Sequence, residues 1–297
     1  MIMEHAGIIR SGFIAIVGRP NVGKSTFLNR VIGSKISITA SRPQTTRDRI
    51  LGIYDTEDAQ IIFLDTPGIH EAGKALNQYM VEKALSTLSD ADIAMVMASP
   101  EETVEKLSRV MAHVGTLGKD AVLVLNKADL IPEEEREKRL GLLGSVWAFR
   151  SAYAVSSLTG DGITELLAGL KSLLPEGPRF FPDDMITDAS LRFLCQELIR
   201  EKVFTLTSKE IPYATAVEVE EFREGQPTYI SAAIHVERPS QKGIVIGAGG
   251  KMLKEIGKQA RMDIQRLLGT RVFLELFVKV TKDWTKKPTR LKELGYK

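Results

Sequence analysis

The sequence predicts two joined folds: an α/β domain with a mostly parallel sheet, followed by a smaller α+β domain. Over residues 12–175, continuous apolar runs typical of buried strands alternate with helical patterns. A segment with three prolines and one glycine, 173–184, then interrupts the chain. We therefore expect residues 1–176 and 185–297 to fold separately around a linker at 177–184.

Five apolar runs in the first domain have the length and composition of buried strands. They are GFIAIVG (12–18), IIFLD (61–65), IAMVMA (93–98), AVLVLN (121–126) and AYAVSS (152–157). Helical patterns lie between them at 25–31, 75–88 and 104–117. Right-handed crossovers place the carboxyl ends of parallel strands on one edge of the sheet, where we expect a ligand to bind.

The second domain has a different order of elements: helix, strand, strand, helix, helix, strand. The predicted segments are a helix at 185–205, alternating strands at 214–222 and 229–237, two helices around a glycine-rich loop within 243–269, and a strand at 271–280. This order predicts an α+β domain.

Composition narrows the class of protein. The single cysteine, Cys195, excludes an intramolecular disulfide and favours a reducing compartment, and its apolar helical surroundings predict a core position. No run approaches the roughly 18 apolar residues of a membrane span, and residues 1–13 do not resemble a secretory signal. We therefore expect a cytoplasmic protein.

Residues 241–297 carry 14 Lys and Arg against 5 Asp and Glu, a net charge of +9, which suggests a polyanionic partner or a solvated basic face.

The first motif follows the first predicted strand. Gly18-Arg-Pro-Asn-Val-Gly23-Lys24-Ser25 fits the phosphate-binding pattern G-x-x-x-x-G-K-[ST]. Glycines let the backbone wrap around phosphate oxygens, and the helix that follows favours an anion at its start. Lys24 is expected to neutralise the β- and γ-phosphates, and Ser25 to coordinate Mg²⁺. The candidate nucleotide-binding residues here are Gly18, Asn21, Val22, Gly23, Lys24, Ser25 and Thr26.

A second motif predicts that the base of the bound nucleotide is guanine. Asn126-Lys127-Ala128-Asp129 follows the strand AVLVLN. The Asp129 carboxylate can accept hydrogen bonds from N1–H and the 2-amino group of guanine, which adenine cannot supply. Asn126 can tie this loop to the phosphate loop, and the stem of Lys127 can cover the base. The segment Ser156-Ser157-Leu158, after the fifth strand, is expected to close over the base from the other side.

Two further segments are candidates to sense the γ-phosphate. Asp65-Thr-Pro-Gly68 ends the strand IIFLD, so that Asp65 can hold Mg²⁺ through water and the Gly68 amide can contact the phosphate. Thr46, in a polar loop, is favoured over Thr45 to complete the Mg²⁺ shell. The predicted metal ligands are therefore Ser25, Thr46 and Asp65. No side chain stands out as a general base, so the catalytic assignment stops at Lys24, Thr46 and Gly68.

The basic C-terminal region contains a G-x-x-G loop between two predicted helices. Such a loop lets its amides and the next helix N-terminus clamp about four nucleotides of a nucleic-acid backbone. The candidate RNA-binding residues are Ile246, Gly247, Ala248, Gly249, Gly250, Lys251, Lys254 and Lys258.

The four nucleotide motifs, in this order, resemble those of the translation-factor-related GTPases, and the C-terminal pattern is similar to a type II KH domain. Together with RPQTTRDRI (42–50) and VKVTKDW (278–284), they make the chain resemble the Era family of bacterial GTPases over nearly its whole length. The resemblance implies a P-loop GTPase domain followed by a KH domain. It also implies GTP/GDP and Mg²⁺ as cofactors, and binding near the 3′ end of small-subunit ribosomal RNA as a late factor in subunit assembly.

The resemblance bears on the rate of hydrolysis as well. Signalling GTPases place a glutamine after D-x-x-G to orient the attacking water, whereas this chain has Ile69. The family has a hydrophobic residue there, which implies slow intrinsic hydrolysis. Asn21 is a candidate to hold a monovalent cation such as K⁺ against the phosphates.

Two alternative functions are compatible with the same sequence. One is a membrane-surface or cell-cycle regulatory GTPase whose basic end binds acidic lipid or protein, with peripheral association at the inner membrane face. Another is a tRNA-modifying enzyme with a similar GTPase domain. A monomer is expected in each case.

Overall fold

The computed structural model describes residues 8–40, 42, 45–68 and 75–296. These residues form two compact units. The first contains residues 8–37, 46–68 and 80–188, and the second contains the described parts of 38–45 and 71–79 together with 189–296.

The first unit is an α/β fold built on one sheet. Its strands are β1 Ile9–Val17, β2 Ile50–Thr56, β3 Ala59–Asp65, β4 Ile93–Ala98, β5 Asp120–Leu125, β6 Ser151–Ala154 and β7 Glu176–Gly177. Helices α1 Lys24–Ile32, α2 Ala75–Asp90, α3 Val104–Thr116, α4 Glu133–Gly144 and α5 Ile163–Leu173 are interspersed with them, and α2 begins among the residues of the second unit.

The sheet order is β2-β3-β1-β4-β5-β6, with β7 paired to β1. Strands β3, β1, β4, β5 and β6 are parallel, whereas β2 and β7 pair antiparallel to their neighbours. Strands β3, β4 and β5 are almost wholly buried, which explains their largely apolar sequences. Because β1 lies between β3 and β4, the chain changes direction across the sheet at the end of β1, and ligands bind at such a point.

The second unit is an α+β fold with a three-stranded sheet in the order β10-β9-β8. Its strands are β8 Ala216–Arg223, β9 Thr228–Val236 and β10 Val272–Val280, and its helices are α6 Leu191–Leu206, α7 Pro239–Ile246, α8 Lys251–Leu268 and α9 Pro288–Glu293. Strand β10 runs parallel to β9, and β8 runs antiparallel to it. Apolar side chains of α6 and α8 pack against this sheet, and Cys195 lies buried in that core as predicted.

The predicted fold class is confirmed, but the structure differs from the sequence prediction in several elements. Strand β2 and helices α4 and α5 were not predicted. The helix predicted at 185–205 begins at Leu191 instead. Ile186 and Thr187 bind to β2: the Ile186 carbonyl accepts the Ile53 amide (2.9 Å), and the Thr187 hydroxyl donates to the Leu51 carbonyl (2.6 Å).

The segment predicted as a linker, 177–184, is counted in the first unit. The Gln60 side chain fixes it, accepting the amides of Phe180 (2.8 Å) and Phe181 (3.0 Å) and donating to the Phe181 carbonyl (2.9 Å). A proline-rich composition predicts a break in regular structure, but it does not predict whether the irregular segment is anchored.

Candidate functional site

The phosphate loop joins β1 to α1. Its shape requires glycine at two positions. At Gly18 a Cβ atom would lie 2.3 Å from the Met97 carbonyl oxygen, and at Gly23, where φ is +102°, it would lie 2.2 Å from Asn126 Nδ2. Because only glycine tolerates such approaches, the loop can curl tightly with its amides directed inward.

Lys24 is the first residue of α1 and is buried. Its Nζ donates to the carbonyl oxygens of Gly18 and Arg19, each at 3.1 Å. Burial lowers the pKa of Lys24 to about 8, although the nearby Asp65 opposes this shift. A buried ammonium whose hydrogen bonds go to carbonyl oxygens is suited to receive phosphate oxygens, which supply further negative charge.

Side-chain oxygen atoms from four segments of the chain lie close together near Lys24. Ser25 Oγ lies 2.8 Å from Thr46 Oγ1 and donates to Asp65 Oδ2 at 2.7 Å. Ser37 Oγ donates to the same carboxylate oxygen at 3.0 Å. The three residues predicted as metal ligands are therefore brought together, and Ser37 joins them.

This cluster fits a magnesium ion. Burial raises the pKa of Asp65, and its Oδ1 atom is buried with no hydrogen-bond partner among the described residues. A divalent cation, directly or through its water, would stabilise that ionised carboxylate. Hydroxyl and carboxylate oxygens are the ligands that Mg²⁺ prefers. Elsewhere in the described chain, no group of three or more His, Cys, Asp and Glu side chains has the arrangement of a metal site.

Gly68 lies against the phosphate loop. A Cβ atom there would be 2.8 Å from the backbone nitrogen of Pro20, so glycine is needed for the D-x-x-G segment to approach this closely. The Thr66 hydroxyl donates to the Ile16 carbonyl (2.8 Å) and fixes the end of β3 against β1. The residue after Gly68, Ile69, lies outside the described residues.

Asn126 connects the two ends of the predicted nucleotide site. Its buried side chain donates from Nδ2 to the Val22 carbonyl of the phosphate loop (2.8 Å). Its Oδ1 accepts the amide (3.0 Å) and the hydroxyl (2.8 Å) of Ser157. Three segments distant in sequence are thus fixed by one amide side chain.

The base-reading residues surround this junction. Lys127 adopts a left-handed conformation (φ +60°), and Asp129 follows in a 3-10 turn with its side chain exposed. The Ala128 amide donates to the Val155 carbonyl at 3.0 Å, which holds the loop against the end of β6. Leu158 is 70% exposed, as expected for a side chain that covers a ligand.

Two residues of this site were missed from the sequence. Asn29 accepts the amides of Ile36 (3.0 Å) and Ser37 (2.9 Å) through Oδ1 and donates to the Ser37 carbonyl (2.6 Å), so it places the Ser37 hydroxyl on Asp65. Asn29 lies one helical turn after Ser25 on the same face of α1, which is the only local signal of its role. No sequence pattern marks Ser37.

The glycine-rich loop of the second unit connects α7 and α8. At Gly247, where φ is +73°, a Cβ atom would lie 2.7 Å from Met252 Cβ, so glycine lets the loop close onto the start of α8. Residues Ala248–Gly250 form a 3-10 turn, and Ala248 and Gly249 are exposed. The α8 N-terminus therefore opens beside a bare stretch of backbone.

A row of cations continues from this loop along α8. Lys251, Lys254, Lys258 and Arg261 follow at helical spacing and are all exposed. Ile246, at the end of α7, is half-buried, and Ile244 is 49% exposed. Bare backbone, a helix N-terminus, a cationic row and an apolar border form a surface suited to single-stranded RNA.

Models of known families match both parts of the chain. A family model described as 50S ribosome-binding GTPase matches residues 13–127, and a KH domain model matches residues 210–285. The GTPase Era of Geobacter sp. (strain M21) is 50% identical over 293 residues, which cover 97% of this chain and 98% of the relative. The GTPase Era of Syntrophus aciditrophicus (strain SB) is 49% identical, over 97% of this chain and 96% of the relative.

Solved structures show the same likeness. A variant of Aquifex aeolicus Era bound to GDP and AlF4⁻ aligns with a TM-score of 0.94 and 39% identity, over 97% of this chain and 99% of that one. An Era structure in complex with MgGDPNP and nucleotides 1506–1542 of 16S ribosomal RNA aligns with the same TM-score, identity and coverage.

Proposed function

The chain belongs to the Era family of GTPases, and from this premise we propose that it is an RNA-binding switch that assists late assembly of the small ribosomal subunit. It hydrolyses GTP to GDP and phosphate, and it binds the 3′ end region of small-subunit ribosomal RNA. One observation supports this most strongly: a single chain carries a guanine-nucleotide site and, separately, a glycine loop bordered by cations. A relative with the same fold over the whole chain is in complex with that part of 16S ribosomal RNA.

The residues of the nucleotide site have different roles in GTP hydrolysis. Lys24 neutralises the β- and γ-phosphates, and the Gly68 amide contacts the γ-phosphate. Ser25, Thr46 and Asp65 would hold Mg²⁺, which would supply positive charge to the phosphate oxygens. We propose that catalysis depends on positioning and electrostatics, and because Ile69 replaces the glutamine that orients the attacking water in signalling GTPases, we expect slow intrinsic turnover.

Asn21 is the candidate to hold a monovalent cation. It lies in the phosphate loop with φ of +66°, an uncommon conformation for a residue other than glycine. Such backbone strain is frequent at ligand sites. Faster turnover in potassium than in sodium buffer, lost on Asn21→Ala, is the expected result; equal rates in both salts would contradict it.

We further propose that the nucleotide state is coupled to the second unit through residues 38–45. Within that unit, the Thr39 amide donates to Glu201 Oε1 (3.0 Å) and Arg200 donates to the Thr45 carbonyl (2.5 Å). Arg200 also forms a buried ion pair with Glu197 on α6 (2.5 Å), so removal of either partner would leave a buried charge uncompensated.

The next residue along the chain is Thr46, which belongs to the first unit and to the oxygen cluster. Ordering of Thr46 on Mg²⁺ and the γ-phosphate must therefore act on the segment that α6 holds. RNA affinity is expected to differ between the GTP and GDP states; equal affinities would refute the coupling.

The test of RNA binding uses a fluorescent RNA copying the 3′ region of 16S ribosomal RNA, measured by anisotropy with the GTP analogue GDPNP and with GDP. The variant is Ala248→Asp/Gly249→Asp, which adds two negative charges to the exposed loop. The matched control is Ser208→Asp/Thr289→Asp, which adds the same charge at exposed positions of the same unit that do not belong to the loop.

Tight binding by the wild type and the control, with a loss in the loop variant, is the expected outcome. If RNA binds equally to all three proteins, the loop is not the RNA site. If it binds to none, the function would be a GTPase with another partner.

We place the protein in the cytoplasm, where the small subunit is assembled in bacteria. No helix in the described chain is both long and apolar enough to cross a membrane. Peripheral association with the inner membrane face would require the basic region to bind acidic lipid. Co-sedimentation with vesicles of phosphatidylglycerol tests this directly, and we expect the protein to remain in the supernatant.

A further inference from the structure

The helices of the second unit pack against one face of its sheet. The core that α6, α7 and α8 form with the sheet contains Val217 of β8, Ile230 of β9 and Val272 of β10. Because successive residues of a strand point to opposite faces, the neighbouring positions lie on the other face. Two of them, Phe273 and Phe277, are 53% and 49% exposed. Exposed rings grouped on one face are typical of an interaction surface, whereas single exposed rings are not.

The strand register places an arginine beside this group. Arg223 of β8 is paired with Tyr229 of β9, which is paired with Phe273 of β10. The rings of Tyr229 and Phe273 are stacked, with their centroids 5.9 Å apart and their planes inclined by 14°. The guanidinium carbon of Arg223 lies 4.4 Å from the centroid of the Tyr229 ring. The face therefore already holds one guanidinium group by a cation–π contact, and the chain itself supplies it.

Carboxylates follow in the next two rows of the same face. Glu221 and Glu275 lie in one row, and Glu218 and Phe277 lie in the next. The Tyr229 hydroxyl donates to Glu275 Oε2 (2.7 Å), which fixes this carboxylate next to the rings. Along β10, two exposed rings therefore alternate with a carboxylate at positions 273, 275 and 277.

The charge of this face favours a cationic ligand. The carboxylates of the three strands are Glu218, Glu220, Glu221 and Glu275, and their arginine and lysine residues are Arg223 and Lys279. Both cations are already paired, Arg223 with Glu221 (2.9 Å) and Lys279 with Glu220. Burial lowers the pKa of His235, although Glu218 at 3.2 Å opposes this shift, so the ring adds little charge at pH 7. The remaining carboxylates leave the face negative, which repels RNA and attracts a basic partner.

The spacing of the exposed groups suits an extended segment. Positions 273, 275 and 277 repeat at about 6.5–7 Å, as do the side chains on one side of any extended segment. Arginine suits both kinds of group, because its planar guanidinium stacks on a ring and binds a carboxylate with two parallel hydrogen bonds. Lysine has neither the plane nor the fork. Clustered arginines are characteristic of proteins that bind nucleic acid.

We propose that Tyr229, Phe273, Glu275 and Phe277 form a docking surface for an extended, arginine-containing segment of a basic RNA-binding protein. Guanidinium groups of that segment stack on the exposed rings and pair with Glu275. The surface lies on the face of the sheet opposite to α7 and α8, which border the glycine loop and carry the cationic row. The second unit therefore presents one face to RNA and the other to a basic protein.

The experiment uses the full chain and a fluorescent peptide of alternating arginine and alanine, long enough to span β10. A second peptide has lysine in place of each arginine. Dissociation constants are measured by anisotropy at low and at high salt for the wild type, Phe277→Ala and Glu275→Gln. The controls are Met262→Ala, which removes an apolar side chain of α8 that is 45% exposed, and Glu210→Gln, which removes an exposed carboxylate outside the strands.

The wild type and both controls are expected to bind the arginine peptide equally, and more tightly than the lysine peptide. Phe277→Ala should weaken binding of the arginine peptide by about 2–5-fold, the value of one exposed cation–π contact, and reduce the preference for arginine over lysine. Glu275→Gln should weaken binding of both peptides by about 1.5–5-fold at low salt and by less at high salt, because salt screens the charge that it removes. Phe277→Ala should leave the affinity for the fluorescent 16S ribosomal RNA unchanged.

The proposal is overturned if the wild type does not bind the arginine peptide at low salt, binds it no more tightly than either variant does, or binds the lysine peptide equally well. Loss of RNA affinity in Phe277→Ala would make RNA the occupant of this face. Self-association of the wild type that Phe277→Ala abolishes would make the occupant a second copy of the chain, and either result also overturns the proposal. If Phe277→Ala fails to fold, by its melting curve, Glu275→Gln decides, because it keeps the shape of the side chain.

Discussion

Replacing Gly23 by alanine is expected to disable the nucleotide site through Asn126. The new Cβ would lie 2.2 Å from Asn126 Nδ2, far inside van der Waals contact, at a residue whose φ is +102°. Asn126 cannot retreat without loss, because it makes one hydrogen bond to Val22 and two to Ser157. The substitution therefore creates a steric clash between the phosphate loop and Asn126, the residue that connects this loop to the base-reading loop.

The size of the effect follows from these contacts. A left-handed conformation costs a residue with a Cβ about 1–2 kcal/mol. Each hydrogen bond of Asn126 contributes about 0.5–1.5 kcal/mol, so loss of all three costs roughly 1.5–4.5 kcal/mol. Nucleotide binding requires both loops in place, so the loss of the Asn126 hydrogen bonds also weakens binding. GDP affinity should therefore fall by about 10–1000-fold.

The assay is the dissociation constant of fluorescent mant-GDP, with thermal melting of the nucleotide-free protein as a second measurement. Gly33→Ala is the matched control, because Gly33 has φ of +71° but no atom lies within 4 Å of the position that its Cβ would take. It incurs the backbone cost alone and should bind GDP as the wild type does. Normal GDP affinity in Gly23→Ala, or an equal loss in Gly33→Ala, would refute the reasoning.

Three further predictions concern single side chains. The Asp129→Asn variant is expected to bind GDP more weakly and xanthosine diphosphate (XDP) more tightly, because the asparagine amide can donate to the 2-oxo group of xanthine. The preference is measured by competition between the two nucleotides, and an unchanged preference would contradict the base-reading role. Asp65→Asn should abolish the dependence of GDPNP affinity on Mg²⁺ while leaving the melting temperature of the nucleotide-free protein equal or higher, since it removes a buried charge. Burial raises the pKa of Cys195 to about 12, so the thiolate is scarce throughout the range from pH 7 to 9. The native protein should therefore resist a thiol reagent over that range and react only in denaturant; rapid native labelling would mean that α6 opens readily.

Some of this architecture is visible in short stretches of sequence. The central strands β3, β4 and β5 are buried on both faces, so they appear as apolar runs, and β4 was predicted with the bounds the structure has, Ile93–Ala98. Strand β2 was missed because it is interrupted by Gly52 and polar residues and becomes a strand by pairing with β3. Its conformation depends on a partner, not on its own composition.

The same distinction applies to the candidate site. Gly23, Lys24 and Ser25 are adjacent in the chain, and their roles follow from the backbone geometry that one loop and one helix start impose. Ser37 carries no such local signal. It acquires a role only where folding brings its hydroxyl to Asp65.

The sequence by itself therefore determined the two folds, their order and the candidate phosphate-binding residues, because these depend on periodicity and on neighbours along the chain. Tertiary structure decided which distant side chains meet: Asn126 reaches Val22 across 104 residues, and Glu201 reaches Thr39 across 162. The physical reason is that a hydrogen bond or ion pair is set by distance and direction in space. A one-dimensional pattern limits which residues can make such a bond, but only the packed chain chooses among them.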